Sequence, residues 1–200
     1  MKAEGAALVT GAGRGLGRAI ALELARRGFA VHAGVRDPHQ RESLLAAARG
    51  EGLRMVAQYL DVNVPDSIAI PAGLRVVVNN AGVDLAYLPV EHAPLSLWRE
   101  MLETNLFGVV EVVRRAVPRL RESGGGVVCN ITSCSYLVGV PFYAAYRASK
   151  AAVGALGESL RAELAPFGIR VLEVMPGPID TDMLAASDSL DGVDLDLLDD

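Results

Sequence analysis

Apolar positions along the chain alternate between short unbroken runs and longer runs with helical spacing. The compact runs at 6–10 (AALVT), 30–35 (AVHAGV), 53–60 (LRMVAQYL), 74–78 (LRVVV), 126–131 (GVVCNI) and 169–174 (IRVLEV) predict six strands. Segment 14–28 sets Leu16, Ile20, Ala21 and Leu24 on one side and Arg18, Arg26 and Arg27 elsewhere, which predicts an amphipathic helix. Further helices are predicted over 39–50, 95–121 and 143–165. Segment 64–73 is short for a crossover helix, so one connection is expected to be clipped. Apolar strands separated by helices imply a parallel sheet covered on both faces, and right-handed crossovers make it a Rossmann-type doubly wound α/β layer. Such a sheet binds its ligand outside the carboxyl ends of the strands, so the loops after each strand carry the candidate chemistry.

Composition narrows the class. The 200 residues are 51% hydrophobic and 22% charged, enough for one sizeable core and far from disordered or collagen-like compositions. Cys129 and Cys134 have no metal-ligand spacing, and His32, His39 and His92 have no mutual spacing for a metal or a triad, so no metal site is expected. No window holds the roughly 18 apolar residues of a membrane span, and the start MKAEGAALVTGAG has no apolar signal core. A cytoplasmic protein with no membrane partner is expected. The net charge of −5 is uneven: residues 180–200 hold eight Asp and no Lys or Arg, which leaves +3 on residues 1–179. A mildly basic body suits an anionic small ligand and lacks a nucleic-acid footprint. Seventeen of the 19 cations are Arg; only Lys2 and Lys150 are Lys.

The first strand runs into Thr10-Gly11-Ala12-Gly13-Arg14-Gly15-Leu16-Gly17. Glycines at 11, 15 and 17 let the backbone turn tightly and approach a pyrophosphate, while the following helix offers free N–H groups and a positive dipole end. After the second strand, Arg36 follows Val35, and Arg14 lies in the glycine loop on the same side. Two guanidinium groups converging on one phosphate favour NADP. Asp37 is the counter-argument: a strand end one residue later would put it on a free ribose and favour NAD. Asp61, Val62, Asn79, Ala81 and Gly82 at the ends of the third and fourth strands suit the adenosine side. Tyr146 and Lys150 lie one helical turn apart, where an ammonium is expected to lower the phenol pKa from about 10 and make Tyr146 a proton donor and acceptor.

Together these pieces resemble the short-chain dehydrogenase/reductase family, NAD(P)-dependent subgroup. TGAGRGLG at 10–17, DV at 61–62, NNAG at 79–82, TNLFG at 104–108, ITS at 131–133, YRASK at 146–150 and PGPIDT at 176–181 fall in the family's order. The resemblance implies a tetrad of Asn105, Ser133, Tyr146 and Lys150. Tyr146 would protonate a carbonyl oxygen. Lys150 would hold the nicotinamide ribose and tune Tyr146. Ser133, 13 residues before Tyr146, would bond the substrate oxygen; Thr132 and Ser135 are rivals on spacing alone. Asn105 would anchor a relay water. Gly11, Arg14, Gly15, Leu16 and Gly17 would hold the phosphates, Asp61 and Val62 would flank the adenine, and Pro176, Gly177, Ile179 and Thr181 would close over the nicotinamide. The family also implies a homodimer or homotetramer through the long helices.

Two departures stand out. The helix usual between 61 and 79 is mostly missing, and the chain runs only about 20 residues past Thr181, where the family continues into a lid, a helix and a seventh strand. Residues 1–183 are expected to form one NAD(P)-binding domain with its catalytic site, and 184–200 an acidic tail or shortened lid. Tyr136, Leu137, Val138, Val140, Phe142, Tyr143, Met183 and Leu184 are candidates for an apolar substrate wall. The expected function is NADP-dependent interconversion of a carbonyl and an alcohol. The alternative is a cofactor-binding protein whose turnover is weakened by the short carboxyl end.

Overall fold

The structure, a computed structural model, describes residues 4–179. The first three strands are β1 (Ala6–Val9), β2 (Ala30–Val35) and β3 (Met55–Tyr59); the next three are β4 (Leu74–Asn79), β5 (Gly126–Ile131) and β6 (Ile169–Val174). They form one parallel sheet in the order β3-β2-β1-β4-β5-β6. From β1 the chain winds outward to β3, then crosses back to place β4 on the other side of β1. That reversal opens a crevice between the carboxyl ends of β1 and β4.

Strand side chains alternate between two cores, as a period of two requires. Ala7, Val9, Val31, Ala33, Val76 and Val78 face helices α1 (Gly15–Arg26) and α2 (Pro38–Gly50), which contribute Ala21, Ala25 and Leu44. Leu8, Val77 and Val128 face α4 (Gly108–Glu122) and α5 (Ala144–Leu164), which contribute Val112, Val113, Leu120, Val153 and Leu160. Small residues on the buried side of α1 let it sit close to the glycine loop it follows. Asp37 caps α2, accepting from the backbone N–H of His39 at 2.7 Å and of Gln40 at 3.1 Å. Such a cap is worth about 1 kcal/mol.

The helix expected over 95–121 is a continuous helical run with a defect. It begins as α3 (Leu95–Leu102), widens into one π-helical turn at Glu103–Phe107 and continues as α4. Gly108 follows the wide turn because a Cβ there would meet the Val62 side chain at 2.6 Å. The clipped connection is present: between β3 and β4 the only helical piece is a single 3-10 turn, Pro65–Ser67. Among the described residues, β6 forms one edge of the sheet. None of the described helices is long and apolar enough to cross a membrane, and among the described residues no group of His, Cys, Asp or Glu side chains is arranged to hold a metal ion. The expected domain limit at 183, and Thr181, Met183 and Leu184, lie outside the described residues.

Candidate active site

A cleft of about 920 Å³ runs along the carboxyl ends of the strands, from the glycine loop to the first turns of α5. At its nucleotide end the backbone does the shaping. Gly11 and Gly15 take positive φ of 63° and 51°. Gly17 has no room for a side chain, since a Cβ would strike the Gly11 carbonyl and the Asn80 amide. The loop is clipped across the switch point to the end of β4. Thr10 Oγ1 accepts from the N–H groups of Asn80 and Ala81, both at 3.0 Å. Asn80 Nδ2 returns donations to the carbonyls of Thr10 (3.0 Å) and Gly11 (3.1 Å). No side chain caps the amino end of α1, in contrast to α2. That combination fits a pyrophosphate: close backbone approach, first-turn N–H groups and a positive dipole end facing the cleft.

Arg14, Arg36, Asp37, Asp61 and Val62 line the same end. β2 stops at Val35, as expected, so Arg36 is the first residue beyond the strand. Arg36 is mostly exposed and stands 3.7 Å from the Asp61 carboxylate, a loose ion contact. Asp37 is tied to the amino end of α2, and those backbone donors hold its carboxyl below the usual range.

At the other end, β5 and α5 bring Ser133, Tyr146 and Lys150 to one wall. Ser133 lies two residues past the end of β5 and opens the short helical turn that follows; its hydroxyl accepts from Ser135 N–H at 3.2 Å. Lys150 is 6% exposed; its Nζ donates to the Ile131 carbonyl at 3.1 Å and stands 5.6 Å from the centre of the Tyr146 ring. Ser149, fully buried, donates to the Tyr146 carbonyl at 2.7 Å. Thr132 is spent elsewhere, donating to Glu173 at 2.9 Å.

The electrostatics correct one expectation. The Tyr146 phenol is pushed up to about 12, chiefly because burial disfavours the phenolate, with the Asp84 charge adding to the rise and the Ser133 hydrogen bond opposing it. Lys150 does not produce the expected lowering. Burial itself brings Lys150 down to about 8, against the opposing pull of Asp84. Burial disfavours the charged form of each group, which raises a phenol and lowers an ammonium.

Most of the expected residues converge. Gly11, Arg14, Gly15, Leu16, Gly17, Arg36, Asp61, Val62, Ala81, Gly82, Pro176, Gly177 and Ile179 all line the cleft together with the serine, tyrosine and lysine. Two do not. Asn79 is buried within β4, and its Nδ2 donates to Asn130 of β5 at 2.8 Å, its partner in the ladder. Its neighbour Asn80, past the strand end, takes the place at the cleft. Asn105 is 1% exposed at the π-helical turn and does not reach the cleft wall. Its amide accepts from Val83 N–H at 2.7 Å and donates to the Val83 carbonyl at 2.9 Å and to Ser149 at 3.0 Å. The side chain therefore ties the loop after β4 to α5. Of the substrate-wall candidates, Val138, Val140 and Tyr143 line the cleft, whereas Tyr136, Leu137 and Phe142 do not. Asp84 and Tyr87 line it without any motif to announce them.

The short chain dehydrogenase family model matches residues 5–191. The chain belongs to the short-chain dehydrogenase/reductase family. Among curated members, an uncharacterized oxidoreductase, YusZ, of Bacillus subtilis is 37% identical over 190 residues, covering 90% of this chain and 67% of its own length. Rat estradiol 17-beta-dehydrogenase 2 is 34% identical over 97% of this chain and 53% of its own. The short-chain dehydrogenase/reductase described here thus spans about two thirds and half of those relatives. Among solved structures, a Beutenbergia cavernae protein provisionally named an NAD(P)-dependent gluconate 5-dehydrogenase, with bound NADP at low occupancy, superposes with a TM-score of 0.86 at 34% identity. The match covers 93% of this chain and 77% of that one.

Proposed function

We propose that the chain is an NADP-dependent oxidoreductase that interconverts a ketone or aldehyde and an alcohol. The observation that carries this reading is the meeting of Ser133, Tyr146 and Lys150 in the same cleft as the glycine loop. Relatives named as dehydrogenases of estradiol and of gluconate support a carbonyl–alcohol pair as the substrate class.

NADPH, when bound, supplies the hydride. The loop from Gly11 to Gly17 would hold its diphosphate, and the guanidinium groups of Arg14 and Arg36 would hold its 2′-phosphate. The hold of Asp37 on α2 supports this over ribose recognition. Pro176, Gly177 and Ile179, which line the cleft, would close over the nicotinamide. Ser133 donates to the carbonyl oxygen and stabilises charge developing there. Tyr146, protonated across the neutral range, gives its proton to that oxygen as the carbonyl is reduced. Lys150 would hold the ribose hydroxyls. Asn105 acts through Val83 and Ser149 as a positioning residue.

The test is carbonyl-dependent loss of NADPH absorbance. Wild-type protein is expected to turn over at least one ketone of moderate hydrophobicity. Tyr146→Phe should lower kcat by about 10²–10⁴-fold with NADPH affinity retained. NADPH binding with no turnover of any carbonyl would instead favour the cofactor-binding alternative.

A further inference from the structure

Ser133 and Tyr146 stand on different elements of the fold. Tyr146 lies in the first turn of α5, and Ser133 opens the short helical turn Cys134–Leu137 that follows β5. The separation of their hydroxyls depends on what ties that turn to α5. Arg147, next to Tyr146, makes such a tie. Its Nε donates to the Ser135 carbonyl at 2.8 Å, and its Nη2 to the Tyr136 carbonyl at 3.4 Å. Arg147 is half-buried and does not line the cleft, so it braces the site without touching what binds there. The helical spacing of Tyr146 and Lys150 puts no demand on position 147.

A short helical turn leaves its last carbonyls without partners inside the turn, and a planar guanidinium fork can serve two of them at once. Its charge strengthens both bonds. On the opposite side the turn is held to β6 and the segment after it. The Tyr136 phenol donates to Glu173 at 2.7 Å, and Cys134 N–H donates to the Pro176 carbonyl at 3.0 Å. Within the turn, Ser135 N–H donates to Ser133 Oγ at 3.2 Å, which leaves the Ser133 O–H free to donate outward. Ser135 therefore stands between the guanidinium and the Ser133 hydroxyl. Arg147 holds it through its carbonyl, and it holds Ser133 through its N–H.

We infer that Arg147 is a positioning residue that sets the distance and angle between the Ser133 hydroxyl and the Tyr146 phenol. The inference rests on the oxidoreductase reading above, in which both groups donate to one carbonyl oxygen. Two such donors act together only if held within about 0.5 Å of the productive geometry. A misplacement of about 1 Å can cost about 100-fold in rate. Without the guanidinium the turn stays tied to Glu173 and Pro176 but is released from α5, so Ser133 shifts relative to Tyr146. The glycine loop is untouched, so the loss falls on kcat and not on cofactor affinity. A lysine at 147 offers one point charge in place of the fork and restores only part of the tie.

A double-substitution cycle in the full chain tests it, with NADPH and with acetophenone, ethyl acetoacetate and benzaldehyde as probes. Arg147→Met is expected to lower kcat by about tenfold with NADPH affinity unchanged, and Arg147→Lys to recover part of that loss. In a Ser133→Ala background the same Arg147→Met change should move kcat by less than about twofold, because the group it positions is gone. Amide exchange supplies a readout that needs no turnover. The Ser135 N–H should exchange about tenfold faster in Arg147→Met, with the β5 amides unchanged. Thermal unfolding establishes that each variant is folded, and Arg147→Lys is carried through the same cycle should Arg147→Met fail to fold. Wild-type kcat in Arg147→Met, an equal loss with and without the Ser133 hydroxyl, or unaltered Ser135 exchange overturns the inference. Absence of turnover by the wild-type chain with all three probes strikes the oxidoreductase reading instead, and Ser135 exchange then decides whether Arg147 holds the turn.

Discussion

The two ends of the cleft are built from different materials. The nucleotide end is made of backbone: left-handed glycines, an uncapped helix start, and main-chain carbonyls clipped by Asn80. The substrate end is made of buried and half-buried side chains: a lysine, a carboxylate and three stacked phenols. Backbone sites tolerate few residue types, because a Cβ at the wrong place meets main chain that cannot move away. Side-chain sites depend on how deeply tertiary packing dries them, and drying sets the sign of a pKa shift. One end is therefore rigidly specified by a few positions, and the other is tunable.

The hardest blow to this contrast is aimed at its backbone side. Gly17→Ala puts a methyl group against the Gly11 carbonyl and the Asn80 amide, and should weaken NADPH binding by about 100-fold with the sheet retained by circular dichroism. Unchanged NADPH affinity would show that the loop yields at its point of closest approach. The side-chain half is tested by pH. With Tyr146 held up to about 12, the protonated form dominates at neutral pH. Carbonyl reduction, which uses that form, should stay flat between pH 5 and 7, below the range in which Lys150 loses its proton. Alcohol oxidation, which uses the phenolate, should rise by about tenfold per pH unit over that range. A plateau in oxidation near pH 7 would mean that the phenol is lowered after all.

How much of this was legible in the sequence follows the same division. The glycine spacing, the strand ends at Val35 and Ile131, and the clipped connection before β4 could be read directly, because each leaves a residue-type signature at a fixed place. The four-residue spacing of Tyr146 and Lys150 also put them on one helix face, where they are found. The direction of the Tyr146 shift was not legible, since spacing says nothing of burial. Choosing Asn79 over Asn80 at the cleft failed by a single residue, because β4 runs one residue further than its apolar run suggests. Asp84 lies in VDLAY, a segment without periodicity or motif; only the fold brings it beside Tyr143, 59 residues away.

Two milder substitutions sharpen the contrast. Asn80→Ala removes both donations to the glycine loop and should cost about 1–3 kcal/mol of stability in denaturant unfolding, with NADPH affinity falling by about tenfold. Asp37→Ala removes the α2 cap and should cost about 1 kcal/mol. Its ratio of NADPH to NADH affinity should stay as in wild type; a selective loss of NADH binding would assign Asp37 to the ribose instead.

The most direct measurement of the central claim is a fluorescence titration of the full chain with NADPH and NADH, repeated on Arg36→Ala. The account predicts that NADPH binds tighter than NADH by about tenfold or more, and that Arg36→Ala narrows the gap by weakening NADPH alone. Tighter binding of NADH, or a gap that survives loss of the Arg36 guanidinium, would contradict it.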